Sequence, residues 1–283
     1  MNELFQPEPI ALVQRFFGPG HPEWFWVIAE LGTAWGVVLA IGLALALWGR
    51  ADAYAVAGVV VVNALASLAL NQLFDVPRPN HPSIVRYEII EIGSFPSGHV
   101  LLATLLWGVL YIRRRVPLWI PALVVLLVSL SRLYLGVHYL TDVVGAVLIG
   151  ALLLAAYGPL WRRLEGWLAK RPFRALAAAG LLGVAVVLAG LAAGLLGSGE
   201  YEREALGVVL GGVPAFLLER RFIHRAPHPA LLAGIVPLAL AHRLAGAEGL
   251  VMIALAMFWS VFLAPWLTQR HRGTEKLSSG KVG

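Results

Sequence analysis

The stretch AYAVAGVVVVNALASLALNQL, Ala53–Leu73, runs its whole length without a charged side chain. A helix crossing the hydrocarbon core of a bilayer needs about 20 such residues. Its apolar side chains do not alternate with polar ones as a half-buried strand requires, so the stretch reads as a membrane-spanning helix. Similar runs lie on both sides: Trp24–Trp48 before it, then Val100–Ile112, Leu118–Leu135, Val143–Leu160, Phe173–Leu196, Ala205–Leu218, Ala230–Leu244 and Leu250–Leu267. The expected fold class is all-α, a polytopic transmembrane helix bundle of about nine helices, three of them short. Ile10–Phe17 is amphipathic enough to lie along a membrane surface, although a polar tail with a few apolar residues fits it as well.

Composition agrees. Hydrophobic residues make up 59% of the 283 and charged residues 13%, against about 25% charged in a soluble domain. The mean hydropathy is +0.77. A net charge of +6 would suit nucleic acid, but an excess of Arg is also what cytoplasmic loops of membrane proteins carry, and no nucleic-acid partner is expected. With no cysteine in the chain, disulfides and thiolate chemistry are excluded. The opening residues MNELFQPEPI lack a basic segment followed by an apolar run, so the first span is expected to direct insertion and remain in place.

Basic residues give the orientation. Sixteen of the 22 Lys and Arg follow the odd-numbered spans or lie in the tail, and the other six, Arg15, Arg78, Arg86, Arg132, Arg203 and Arg243, fall on the opposite side. This bias places the N-terminus outside and the C-terminus inside. Residues 1–160 are expected to form a membrane-embedded core, 161–272 a transmembrane extension, and 273–283 a disordered tail. The loop Asp75–Gly98, rich in Pro, Arg, His and Glu, is the long exception among short connections and lies outside.

Three polar segments share that outer side. They are Pro77-Arg78-Pro79, Phe95-Pro96-Ser97-Gly98-His99, and the run from Ser131-Arg132 to His138 and Asp142. Ser97 and Gly98 open a helix, where unpaired N–H groups and the helix dipole favour an anion. Arg78 and Arg132 can fork onto phosphate oxygens. His138 and Asp142 stand four apart, one face of a helical turn, so the carboxylate is expected to hold the Nδ1 proton and leave Nε2 as a nucleophile. His99 is left to protonate a leaving oxygen. Each group has a plainer reading: a solvated loop charge, a helix start, a headgroup anchor, a structural ion pair. Their concurrence favours chemistry. Glu30, inside the first span, is expected to make a structural hydrogen bond, and Asn63 an interhelical one.

These residues resemble the type 2 phosphatidic acid phosphatase superfamily, which also contains the vanadium haloperoxidases and glucose-6-phosphatase. Its motifs are K-x6-RP, PSGH and SR-x5-H-x3-D. Arg78-Pro79 fill the end of the first, Pro96–His99 the second, and Ser131, Arg132, His138 and Asp142 the third. The resemblance implies a six-helix-type phosphatase core and a cofactor-free, metal-free mechanism. In it His138 forms a phosphohistidine with the aid of Asp142, His99 protonates the leaving group, and Arg78, Arg132, Ser97 and Gly98 hold the phosphate. One position departs: Asn71 stands where the family has lysine, which removes one cation and leaves an amide expected to point at the phosphate and donate one neutral hydrogen bond to it. The helices after the core resemble the extension of sphingosine-1-phosphate phosphatase-like members, and their small-residue face of Gly207, Gly211 and Gly212 suits close packing or a homodimer surface.

The expected activity is hydrolysis of a lipid phosphomonoester or diphosphate at the outer face, with undecaprenyl diphosphate first, then phosphatidylglycerophosphate and phosphatidic acid. Two alternatives stay open. One is a phosphotransferase using the same intermediate; the other is a lipid-binding or transport protein weakened by Asn71.

Overall fold

In the computed structural model the described residues are 5–18, 20–90, 93–170, 200–222, 235, 238 and 249–267. All regular structure among them is helical. The helices are α1 (Glu8–Phe17), α2 (Pro22–Ala29), α3 (Ala34–Leu47), α4 (Arg50–Phe74), α5 (Gly98–Ile112), α6 (Trp119–Tyr134), α7 (Leu140–Ala169), α8 (Glu200–Phe222) and α9 (Gly249–Phe258). The span expected at Phe173–Leu196 lies outside the described residues, as does nearly all of Ala230–Leu244.

Among the described residues two helical stretches, α4 and Leu140–Trp167, are long and apolar enough to cross a membrane, and α5 and α6 are shorter apolar helices. The first expected span is not one straight helix. It breaks into α2 and α3, bent by 51° around Glu30–Gly32. Thr33 explains the break: its extended backbone ends the first segment, and its hydroxyl accepts the Trp35 N–H at 3.3 Å. That hydroxyl also lies 2.6 Å from the Glu30 carboxylate, the structural hydrogen bond expected of Glu30. A polar side chain that bonds backbone locally competes with the helix ladder.

The chain divides into two compact units, Met1–Val37 with Ala55–Arg162, and Val38–Tyr54 with Arg163–Gly283. In the first, α5 is buried on every side from Val100 to Leu110, as a helix apolar all round must be. Helix α7 instead exposes Leu140, Val144, Leu148 and Leu152, one stripe at four-residue spacing that faces lipid. Trp107 of α5 donates its indole N–H to the Leu31 carbonyl at 3.3 Å, which ties the turn after α2 to α5.

In the second unit α8 packs on α9. Any Cβ at Gly211 would strike the Ala254 backbone, so the small-residue face here serves close packing within the chain. Buried Glu219 of α8 pairs with Arg50 and accepts the Tyr54 hydroxyl at 3.3 Å.

Candidate functional site

The site begins at the N-terminus of α5. Ser97 precedes the helix with extended backbone and makes no side-chain cap. It is fully buried and its hydroxyl has no partner. Its N–H reaches the Asp142 carbonyl at 3.2 Å, tying the start of α5 to the start of α7. A buried helix end ordinarily has its free N–H groups satisfied by a cap, and the Ser97 hydroxyl does not serve as one.

His138 lies in the α6–α7 connection, 2% exposed. Its Nδ1 is 2.9 Å from the Ser94 carbonyl and 3.4 Å from Asp142 Oδ2. A carbonyl can only accept, so the proton sits on Nδ1 and Nε2 carries the lone pair. The sequence reading gave that orienting role to Asp142, whereas the shorter bond runs to Ser94. Asp142 Oδ2 accepts the Tyr139 N–H at 2.8 Å, and Oδ1 has no partner. Burial, followed by the positive charges of Arg78 and Arg132, holds the His138 imidazole well below its ordinary pKa. The ring is therefore neutral near pH 7. His99, in the first turn of α5, is close enough to His138 to add to that effect.

Arg78 reaches into the same place from the loop between α4 and α5. Its Nη1 donates to His138 Nε2 at 2.9 Å and to the Val137 carbonyl at 2.8 Å, and its Nη2 donates to the Gly93 carbonyl at 3.1 Å. Arg132 is wholly buried. Its Nη2 donates to Glu88 Oε2 at 2.8 Å, while Nε and Nη1 have no partner.

Asn71 is placed differently from the expectation of an amide aimed at phosphate. Its Nδ2 donates to the Ser67 carbonyl one turn back at 2.9 Å, and Oδ1 is buried without a partner. The cause is local: Ser67 lies four positions back along α4, and the amide satisfies its own helix. Ser67 stands near the site, its hydroxyl 3.9 Å from where a Gly98 Cβ would be. Asn63 Oδ1 is likewise buried without a partner.

Three contributors escaped the sequence reading. The Ser94 carbonyl carries no side-chain signal. Glu88 had one, an acid in a loop with two arginine-bearing motifs nearby. Gln14 of α1 donates to the Val85 and Tyr134 carbonyls at 2.7 and 2.8 Å and accepts the Val85 N–H at 2.9 Å. Gly136 lets that loop approach: its φ is +70°, and a Cβ would strike the Val85 carbonyl.

What fold and site define together is a multi-pass helical membrane protein with a buried His–Asp–Arg cluster around an uncapped helix start. Residues 34–165 match the model of the PAP2 superfamily. Sphingosine-1-phosphate phosphatase 2 of Mus musculus is 37% identical over 99 residues, 31% of this chain and 28% of that protein. Decaprenylphosphoryl-5-phosphoribose phosphatase of Mycobacterium tuberculosis is 37% identical over 118 residues, 41% of this chain and 65% of that protein. Phosphatidylglycerophosphatase B of Bacillus subtilis is 31% identical over 100 residues, 31% of this chain and 48% of that protein. In each case the chain covers less than two thirds of the relative's length. A solved transmembrane PAP2 type phosphatidylglycerolphosphate phosphatase from Bacillus subtilis aligns with 56% of this chain and 84% of its own, at 23% identity and a TM-score of 0.47.

Proposed function

We propose that the protein hydrolyses the phosphomonoester of a membrane lipid through a phosphohistidine on His138. The observation that carries this reading is a set of buried donors and hydroxyls lacking partners at one place: the Ser97 hydroxyl at an uncapped helix start and Nε and Nη1 of Arg132. Leaving such groups unpaired is costly, and a tetrahedral oxyanion satisfies all of them at once.

The chemistry follows from the ring. A phosphate oxygen replaces His138 Nε2 as acceptor of the Arg78 Nη1–H, freeing the Nε2 lone pair. Nε2 attacks phosphorus, a P–N bond forms, and the P–O bond to the lipid alcohol breaks. His99, which takes up a proton as the negatively charged phosphate binds, gives it to that leaving oxygen. Asp142 stabilises the positive charge that develops on the imidazole. Water then attacks phosphorus and gives its proton to His99; the P–N bond breaks and inorganic phosphate leaves. Arg78 and Arg132 supply the positive charge throughout.

The three relatives are named for phosphatase action on sphingosine-1-phosphate, decaprenylphosphoryl-5-phosphoribose and phosphatidylglycerophosphate, each of which carries a terminal phosphomonoester. That supports a monoester ahead of undecaprenyl diphosphate. An apolar cleft of about 370 Å³, lined by Trp24, Phe25, Ile28, Leu127 and Leu130, suits a hydrocarbon chain a short step along α6 from Arg132. The charge bias of the loops supports a site on the outer face. Phosphate release from a panel of lipid monoesters and diphosphates, with His138→Ala as control, tests the reading. Release that survives in the control, or release from none of the lipids, removes it.

A further inference from the structure

Arg132 is wholly buried and its guanidinium bonds Glu88, a residue of the loop between α4 and α5 that belongs to none of the three motifs. A guanidinium so enclosed needs a counterion, because an unpaired charge out of water is strongly disfavoured. Glu88 supplies it from one side only. Its carboxylate meets Nη2 at 2.8 Å, and Nε and Nη1 stay unpaired in the interior.

The segment carrying Glu88 is held firmly. The Tyr87 N–H donates to the Leu135 carbonyl at 3.0 Å. The Tyr87 ring stacks on Tyr134, with centroids 5.5 Å apart and planes within 5°. Tyr134 in turn stacks on Phe25 at 3.8 Å and donates its hydroxyl to the Gly18 carbonyl at 2.6 Å. Gln14 clamps Val85 from the other side. Loop and helix end are therefore docked residue against residue, Val85 on Gly136, Tyr87 on Leu135 and Tyr134, and Glu88 on Arg132.

We propose that Glu88 is a positioning residue: it fixes the Arg132 guanidinium so that the two unpaired donors are already aimed when phosphate arrives. The inference rests on the reading of Arg132 as a phosphate ligand. A charged side chain locked by a second residue loses little freedom on binding, which is how a prearranged site gains affinity. Glu88 also sets the charge of the site, offsetting one of its two arginines where Asn71 already leaves a cation out.

The test is vanadate inhibition, with kcat and KM for a lipid monoester, on the purified full chain. Wild type is compared with Glu88→Ala, Glu88→Gln, Arg132→Ala and the double variant Glu88→Ala/Arg132→Ala. Glu88→Ala is expected to raise the vanadate inhibition constant and KM at least about tenfold, with a smaller fall in kcat. Glu88→Gln keeps an acceptor for Nη2 and removes the repulsive charge, so its inhibition constant stays at or below that of wild type. In the Arg132→Ala background, Glu88→Ala should change the constant less than about twofold, since coupled groups are not additive. Equal losses in both backgrounds, wild-type inhibition of Glu88→Ala, or a Glu88→Gln as impaired as Glu88→Ala would each overturn the proposal. If Glu88→Ala does not fold, Glu88→Asp takes its place: one methylene short, it should raise the constant while Glu88→Gln does not. A wild type that neither releases phosphate nor binds vanadate removes the phosphatase reading itself, and that result is seen before any variant is made.

Discussion

Asp142→Asn separates two ways in which a carboxylate can help a histidine. If Asp142 sets the tautomer, its amide variant turns the ring over, a fault that costs a serine-protease triad about 10⁴ in rate. The geometry argues otherwise. The Ser94 carbonyl holds Nδ1–H at 2.9 Å and remains in the variant. A single oxygen, Oδ2, faces both the Tyr139 N–H and His138, and the asparagine oxygen can take that place. What is lost is the negative charge 3.4 Å from Nδ1. At an effective dielectric of about 20 the bare attraction to an imidazolium there is about 5 kcal/mol. Exchanging a charge-assisted hydrogen bond for a neutral one gives about 1 kcal/mol. A value midway, about 3 kcal/mol, slows phosphohistidine formation about 150-fold. Single-turnover quench kinetics with a radiolabelled lipid phosphate measure it directly. A loss of 10⁴ or more means Asp142 sets the tautomer after all, and a loss under twofold means its charge does not reach the reaction.

Other consequences can be checked independently. Because burial and two arginines depress its pKa, His138 should stay neutral as pH falls past the ordinary value of about 6.5. Its ¹³Cε1 NMR signal, identified by its loss in His138→Ala, is therefore expected to titrate below that pH; a midpoint at or above 6.5 contradicts the electrostatic account. Asn71 spends its amide on Ser67, so Asn71→Ala should leave vanadate inhibition within about twofold. Asn71→Lys restores a cation and should tighten it by about 1 kcal/mol, roughly fivefold; equal constants for all three proteins place residue 71 out of reach of phosphate. Cysteines introduced at Ser83 and Arg114 report topology, since the native chain has none. An impermeant thiol reagent on intact cells should label the first and spare the second, and the reverse pattern puts the site in the cytoplasm.

The helical, membrane-spanning character was legible because a run such as Ala53–Leu73 has one economical solution in lipid: an apolar helix that satisfies its own backbone. The break at Glu30–Thr33 was not, because hydropathy counts side chains and does not register a hydroxyl bonding the neighbouring backbone. At the site, the motifs picked out side chains that do stand together, Arg78 on His138 and Asp142 close to the same ring. What they could not give was the partner of each group. The bond that sets the His138 tautomer comes from a main-chain carbonyl 44 positions away, and every residue has one of those. Glu88 was visible as an acid in the loop between α4 and α5, yet only the docking of Tyr87 on Tyr134 and Leu135 brings it to Arg132. Asn71 misled for a related reason: a spacing identifies the position in a motif, while the short amide found a nearer acceptor within its own helix.

The central claim is covalent catalysis by His138, and trapping the intermediate tests it most directly. Purified protein is mixed with a ³²P-labelled lipid phosphomonoester, quenched in base within one turnover, and digested. The account places the label on the peptide containing His138, stable to alkali and lost in acid, and absent from His138→Ala. Turnover with no labelled protein at any time, or a label that persists in His138→Ala, would contradict it.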